Sequence, residues 1–148
     1  MFREFTVEVP VFNREEYNIL DFGAVPGGRV PCTEAFARAI SKASEKGGRV
    51  IVPSGIFLTG PIVLKSGVDL HLEDNAVIIF TKNREDYPLM VTDFEGIRRI
   101  RAQSQISADH AENIAITGRG TINGNGHLWR PVKQWKMTER QWQELLGR

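Results

Sequence analysis

The sequence predicts an all-β chain wound as a parallel solenoid, with a capping helix near its start and a short helix near its end. Three observations predict it. The first is a spacing, apolar-x-apolar-x5-apolar, that occurs as Val50, Val52 and Leu58, again as Leu70, Leu72 and Ile78, and again as Ile114, Ile116 and Ile122. The second set lies 20 residues after the first, and the third lies 44 after the second, the length of two further units. Self-similarity at a period near 20 residues marks stacked coils, each burying its apolar face against its neighbours. The second observation is a series of short Val- and Ile-rich runs broken by Gly, Ser and Asn, which favours strands over helices. The third is a single amphipathic stretch placed ahead of those runs, where a cap would shield the first coil.

Taken in order, residues 1–16 contain Phe5, Val7, Val9 and Val11 at period two, which predicts an N-terminal strand over Phe5–Phe12. Residues 17–48 hold a second strand and the cap. The strand starts at Tyr17, a turn follows at Asp21 and Gly23, and Pro26-Gly27-Gly28 prolongs it. Thr33 is the expected N-cap of a helix to Lys46, whose Ala35, Phe36, Ala39, Ile40 and Ala43 form one stripe. Gly47-Gly48 ends it.

Residues 49–127 carry the first coils. Strands are predicted at Arg49–Pro53, Ile56–Thr59, Pro61–Lys65, Val68–Leu72 and Ala76–Thr81. Lys82–Pro88 is a polar excursion, and residues 92–100 fit the coil pattern poorly, so an irregular loop or distorted coil is expected there. The pattern resumes over Asn113–Gly126. Residues 128–148 form a tail with Trp129, Trp135 and Trp142, in which Thr138 and Gln141 read as a capping box for a helix to Leu146. The whole is expected to be one domain.

Composition narrows the functional classes. Nineteen basic residues stand against 18 acidic ones, a net charge of +1, without the basic excess of a nucleic-acid footprint. Cys32 is the sole cysteine, so neither an internal disulfide nor a cysteine zinc site is expected. No run has the apolar length of a membrane span or a signal peptide, and a cytoplasmic location is the expectation.

Several motifs together resemble a known family. They are Tyr17-Asn-Ile-Leu-Asp-Phe-Gly-Ala24, the helix with Ala35-Phe36 and Ala39-Ile40, and Gly47-Gly-Arg-Val-Ile-Val-Pro-Ser-Gly55. Phe57-Leu-Thr-Gly-Pro61, Leu64-Lys-Ser-Gly-Val68 and Leu70-His-Leu-Glu73 continue the series, as does Glu112-Asn-Ile-Ala-Ile-Thr-Gly-Arg-Gly-Thr-Ile-Asn-Gly-Asn-Gly126. This stretch resembles the opening of family 28 glycoside hydrolases, the polygalacturonases and related pectin hydrolases. The resemblance implies a right-handed parallel β-helix of the pectin-lyase-like kind. It also implies inverting, cofactor-independent hydrolysis of galacturonate-containing polysaccharide. Phage tailspikes and lyase-like β-helices also open with Asp-Phe-Gly-Ala, but Glu112–Gly126 favours the hydrolases.

The family's catalytic aspartates sit in Asn-Thr-Asp, Asp-Asp and Gly-His-Gly motifs, followed by Arg-x-Lys for substrate carboxylates. None of the four occurs here. The expectation is therefore the amino-terminal part of such an enzyme, with no catalytic residue of its own and no activity alone. A non-catalytic carbohydrate-binding or assembly module, self-associating through an open solenoid end, is the alternative. Two smaller departures are Cys32, where relatives carry a polar residue, and the Arg101-Ala-Gln-Ser-Gln-Ile106 segment, which is less aromatic than theirs.

Individual candidates are weighed against plain structural roles. Asp69, His71 and Glu73 alternate on one strand, and carboxylates four residues apart on a strand lie ~13 Å apart. Inverting hydrolysis needs about 6.5–9.5 Å, so a solvated outer face is expected. Asp109-His110, Asp93 and Glu95 read as surface turns, and His127-Leu128 does not meet the family's histidine motif. Gly118, Gly120 and Gly124 lack the spacing and following helix of a dinucleotide fingerprint and read as turns. In the tail, Trp129 is a candidate to stack on a sugar, with Arg130 and Lys133 pairing its carboxylates. The plain reading is that the three tryptophans pack the tail onto the solenoid.

Overall fold

The computed structural model describes residues 6–147. They form a right-handed parallel β-helix. Strand β1 (Glu16–Asn18) leads through a 3-10 turn (Ile19–Phe22) to helix α1 (Thr33–Ser44). The first full coil is β2 (Gly48–Val52), β3 (Gly55–Thr59) and β4 (Ile62–Leu64). The second is β5 (Val68–Leu72), β6 (Ala76–Phe80) and β9 (Ile106–Ala108), with a hairpin of β7 (Leu89–Phe94) and β8 (Ile97–Ala102) looped out between β6 and β9. The third is β10 (Ala115–Gly118) and β11 (Thr121–Asn123). Equivalent strands stack in parallel into three sheets, ordered β1-β2-β5-β10, β3-β6-β11 and β4-β9.

The core runs up the centre of these sheets. Val50 pairs in register with Leu70, and Leu70 with Ile116; Phe57 pairs with Ile78, and Ile78 with Ile122. Helix α1 lays Ala35, Phe36, Ala39, Ile40 and Ala43 over the first coil and buries all five. At the other end β10 and β11 have a strand neighbour on one side only, among the described residues, and Ile116 and Ile122 remain 45% and 39% exposed.

The register revises the repeat. The 46 residues from Leu70 to Ile116 make one coil, not two, because the hairpin is an insertion within a single turn of the helix. The partner of Leu70 is Ile116 rather than Ile114, and Gly118 takes the place opposite Leu72. Phe57, rather than Leu58, faces Ile78, since the corner before β3 is one residue shorter than the corner before β6.

Other expectations change with the structure. Phe5 lies outside the described residues, and residues 6–12 form no strand. Val7, Val9 and Val11 are exposed there, and no neighbouring strand takes their hydrogen bonds. The strand expected to start at Tyr17 starts at Glu16 and is three residues long, ending at Asn18. Thr33 is not the N-cap; Cys32 is, and the Thr33 hydroxyl instead accepts a hydrogen bond from Gly60 N at 2.7 Å. The irregular stretch expected at 92–100 is a regular antiparallel hairpin, turning at Glu95 and Gly96 with positive φ of 52° and 76°. In the tail, the capping box at Thr138 is present, with both reciprocal bonds opening α3 (Glu139–Leu146). A single helical turn, α2 (Gly126–Trp129), precedes it. No helix of the described residues is long and apolar enough to cross a membrane.

Candidate functional site

Two places concentrate chemistry. The first is a polar ladder on the outer face of the largest sheet. Arg49 and Asp69 are register partners on β2 and β5, and Arg49 Nε lies 2.8 Å from Asp69 Oδ2. From the next coil, Thr117 donates to Asp69 Oδ1 at 2.7 Å, and its hydroxyl also contacts His71 Nδ1 at 2.7 Å. Asp69 is 1% exposed, so the solvated face expected for it is not found. Side chains from the coils on either side cover it. Both its oxygens are occupied, as a buried carboxylate requires, and it is a structural group. Asp109 and His110 do form an exposed turn, their side chains 2.7 Å apart.

The second place is a cleft of about 530 Å³ between the base of the hairpin, the segment entering β9 and the turn leaving β11. Tyr87, Asp93, Arg101, Gln103, Gln105 and Trp129 are among its lining residues. Its walls are tied together from below. Gln105 Nε2 donates to Gly124 O at 2.6 Å, and Asn125 Nδ2 donates to Phe80 O at 2.6 Å, so the β11–α2 turn is fixed to the coil beneath. Asn125 holds a left-handed φ of 48°, which lets the chain turn into α2 there.

Tyr87 is buried and donates to Thr81 O at 2.9 Å. Burial pushes its phenol above the usual value; the Thr81 side-chain hydroxyl, which donates to the phenol oxygen, opposes this and the nearby Asp86 adds to it. The edge of one ring meets the face of the other between Tyr87 and Trp129, with centroids 4.8 Å apart and planes at 80°. Trp129 Nε1 is buried with no hydrogen-bond acceptor among the described residues. Arg101 stacks on Phe94, its guanidinium carbon 4.0 Å from the ring centroid.

The three residues singled out in the tail separate. Trp129 is in the cleft wall, whereas Arg130 and Lys133 are not among the lining residues. Lys133 and Lys136 lie over Trp135, 5.6 and 5.0 Å from its centroid, and that ring is 75% exposed. The cation of the cleft is Arg101, whose position no local pattern marked, because the fold of the hairpin carries it there. Among the described residues no three His, Cys, Asp or Glu side chains gather to hold a metal ion.

No protein-family model matches the chain. Individual proteins do. The crystal structure of a hyperthermoactive exopolygalacturonase from Thermotoga maritima superposes with a TM-score of 0.74 and 46% identity, over 80% of this chain and 27% of that one. A family 28 exopolygalacturonase from Yersinia enterocolitica superposes with a TM-score of 0.66 and 32% identity, over 76% of this chain and 21% of that one. Over about three quarters of its length the chain is therefore similar to exopolygalacturonases, one of them of family 28. A curated relative, the exo-poly-alpha-D-galacturonosidase of Dickeya chrysanthemi, is 34% identical over 117 residues, 74% of this chain. The chain spans 19% of that relative's length.

Proposed function

We propose that this chain forms the opening coils of a polygalacturonase-type hydrolase, and that alone it binds galacturonate-containing polysaccharide without cutting it. The reading rests on the 46% identity with an exopolygalacturonase over 80% of the chain. Inverting hydrolysis needs an acid and a base about 6.5–9.5 Å apart with a water between them. The motifs that carry those carboxyls in the family are absent from this sequence. Asp69, the buried carboxylate of the described residues, is engaged by Arg49 and Thr117 and has no free oxygen for proton transfer.

The test is to incubate the purified chain with polygalacturonate and follow both reducing ends and bound polymer. Binding without release of reducing ends supports the reading. Release at a rate proportional to chain concentration contradicts its second half, and absence of binding contradicts its first.

One observation favours assembly as well. Ile116 and Ile122 are partly exposed on strands paired on one side only, a surface that further coils or a second copy would cover. Helix α1 closes the opposite end, so two copies would meet through their open ends about a two-fold axis rather than string into fibres. Light scattering across a concentration series tests this; a monomer at every concentration contradicts it.

A further inference from the structure

We infer that Arg101 is the carboxylate-recognition residue of a uronate subsite in the cleft beside the hairpin, with Trp129 as its aromatic wall. The inference rests on the reading of this chain as part of a hydrolase of acidic polysaccharide, and it assigns that binding to particular atoms.

The hairpin register puts Arg101 opposite Met90, on the face that also carries Thr92, Arg99, Phe94 and Ile97. The Arg101 guanidinium carbon lies over the Phe94 ring, 4.0 Å from its centroid. That contact stabilises the cation without using a hydrogen-bond acceptor, and a guanidinium fork matches a carboxylate. Among the described residues no carboxylate ion-pairs with Arg101, although Asp93 lines the same cleft. On the hairpin Asp93 lies opposite Arg98, on the other face.

The remaining lining suits a sugar. Gln103 and Ser104 offer amide and hydroxyl groups for hydroxyl partners, and Trp129 and Tyr87 give an aromatic wall. One fork-shaped cation beside aromatic and neutral polar groups fits a monoanionic hexuronate better than a phosphate, for which several cations usually converge. Arg130 and Lys133 lie outside this lining, and Lys133 sits beside a solvated ring.

The test is calorimetric titration of the full chain with trigalacturonate and with its methyl ester. The wild-type chain is expected to prefer the acid, and R101Q to lose about tenfold or more in affinity for it, as expected for loss of a bidentate charged pair. R101K, which keeps the charge without the fork, is expected to fall between them and serves if R101Q does not fold. The R130A/K133A double variant is expected to stay within about twofold of wild type, as rim cations do. Methyl ester binding is expected to be indifferent to R101Q. Unchanged acid binding in R101Q and R101K overturns the assignment and leaves the functional reading standing; so does an equal loss for acid and ester, or competition by inorganic phosphate. Absence of trigalacturonate binding in the wild-type chain overturns both.

Discussion

Arg49 and Asp69 are 20 residues apart in sequence and one coil apart in space, with Nε and Oδ2 in contact at 2.8 Å. Their separation is the length of the first coil. The pair reports, from the outer face, the same register that Val50 and Leu70 report from the core.

Replacing Asp69 with Asn keeps the shape and the Thr117 contact but removes the charge facing Arg49. Arg49 is 40% exposed, so water screens part of the pair. A loss of about 1–2 kcal/mol is expected, in the range of a hydrogen bond to a charged group. Asp69→Ala, which strands Arg49 and Thr117 together, should cost more. Urea midpoints at neutral pH check both, and an unchanged midpoint for the alanine variant would mean that the ladder carries no stability.

Leu70 is fully buried between Val50 and Ile116 in the central stack. Leu70→Ala is expected to destabilise by about 2–5 kcal/mol, the cost of lost apolar contact plus the cavity left behind. The same change at exposed Leu89 on the hairpin should fall within about 0.5 kcal/mol. Chemical denaturation of the two variants side by side gives the comparison.

Gly118 sits opposite Leu72 at a φ of 95°, and a Cβ there would run into the Leu72 carbonyl oxygen. Gly118→Ala is expected to loosen β10 and β11 while leaving α1 and β2 folded. Hydrogen exchange should show faster exchange at residues 115–123 and unchanged exchange at 48–52. Uniform loss across the chain would show instead that the coils fold as one unit.

Burial raises the Tyr87 phenol above its ordinary value of 10.0. The unfolded chain therefore ionises first as pH rises, and folded stability falls as pH passes that value. Below it the contribution is complete. Tyr87→Phe should flatten the stability profile above about pH 10 while losing the bond to Thr81 O. An identical alkaline profile in both proteins would place the sensitivity elsewhere.

How much of this was legible in the sequence depends on whether the information is local. Alternating apolar residues marked β2, β3, β5 and β6 within a residue or two, because one face of each strand meets the core. The stripe from Ala35 to Ala43 marked α1, and Thr138 with Gln141 marked the start of α3. The hairpin escaped because residues of β7 and β8 are exposed on both faces, leaving no alternation to read. Without the hairpin, 44 residues looked like two coils.

Burial of Asp69 was equally invisible, since the groups covering it come from β2 and β10, 20 and 48 residues away. The cleft was half legible. Trp129 stood out as an aromatic among cations, but its cation is brought by a hairpin rather than by its sequence neighbours. Thr33 shows the same limit. Its identity suited an N-cap, and a bond to Gly60, 27 residues on, claimed the hydroxyl instead.

The most direct measurement is a titration of the purified chain with polygalacturonate in which bound polymer and new reducing ends are recorded on the same samples. Saturable binding that weakens with salt, with reducing ends constant at every chain concentration, is the predicted result. Reducing ends that rise in proportion to the chain, or a polymer left wholly unbound at low salt, would contradict it.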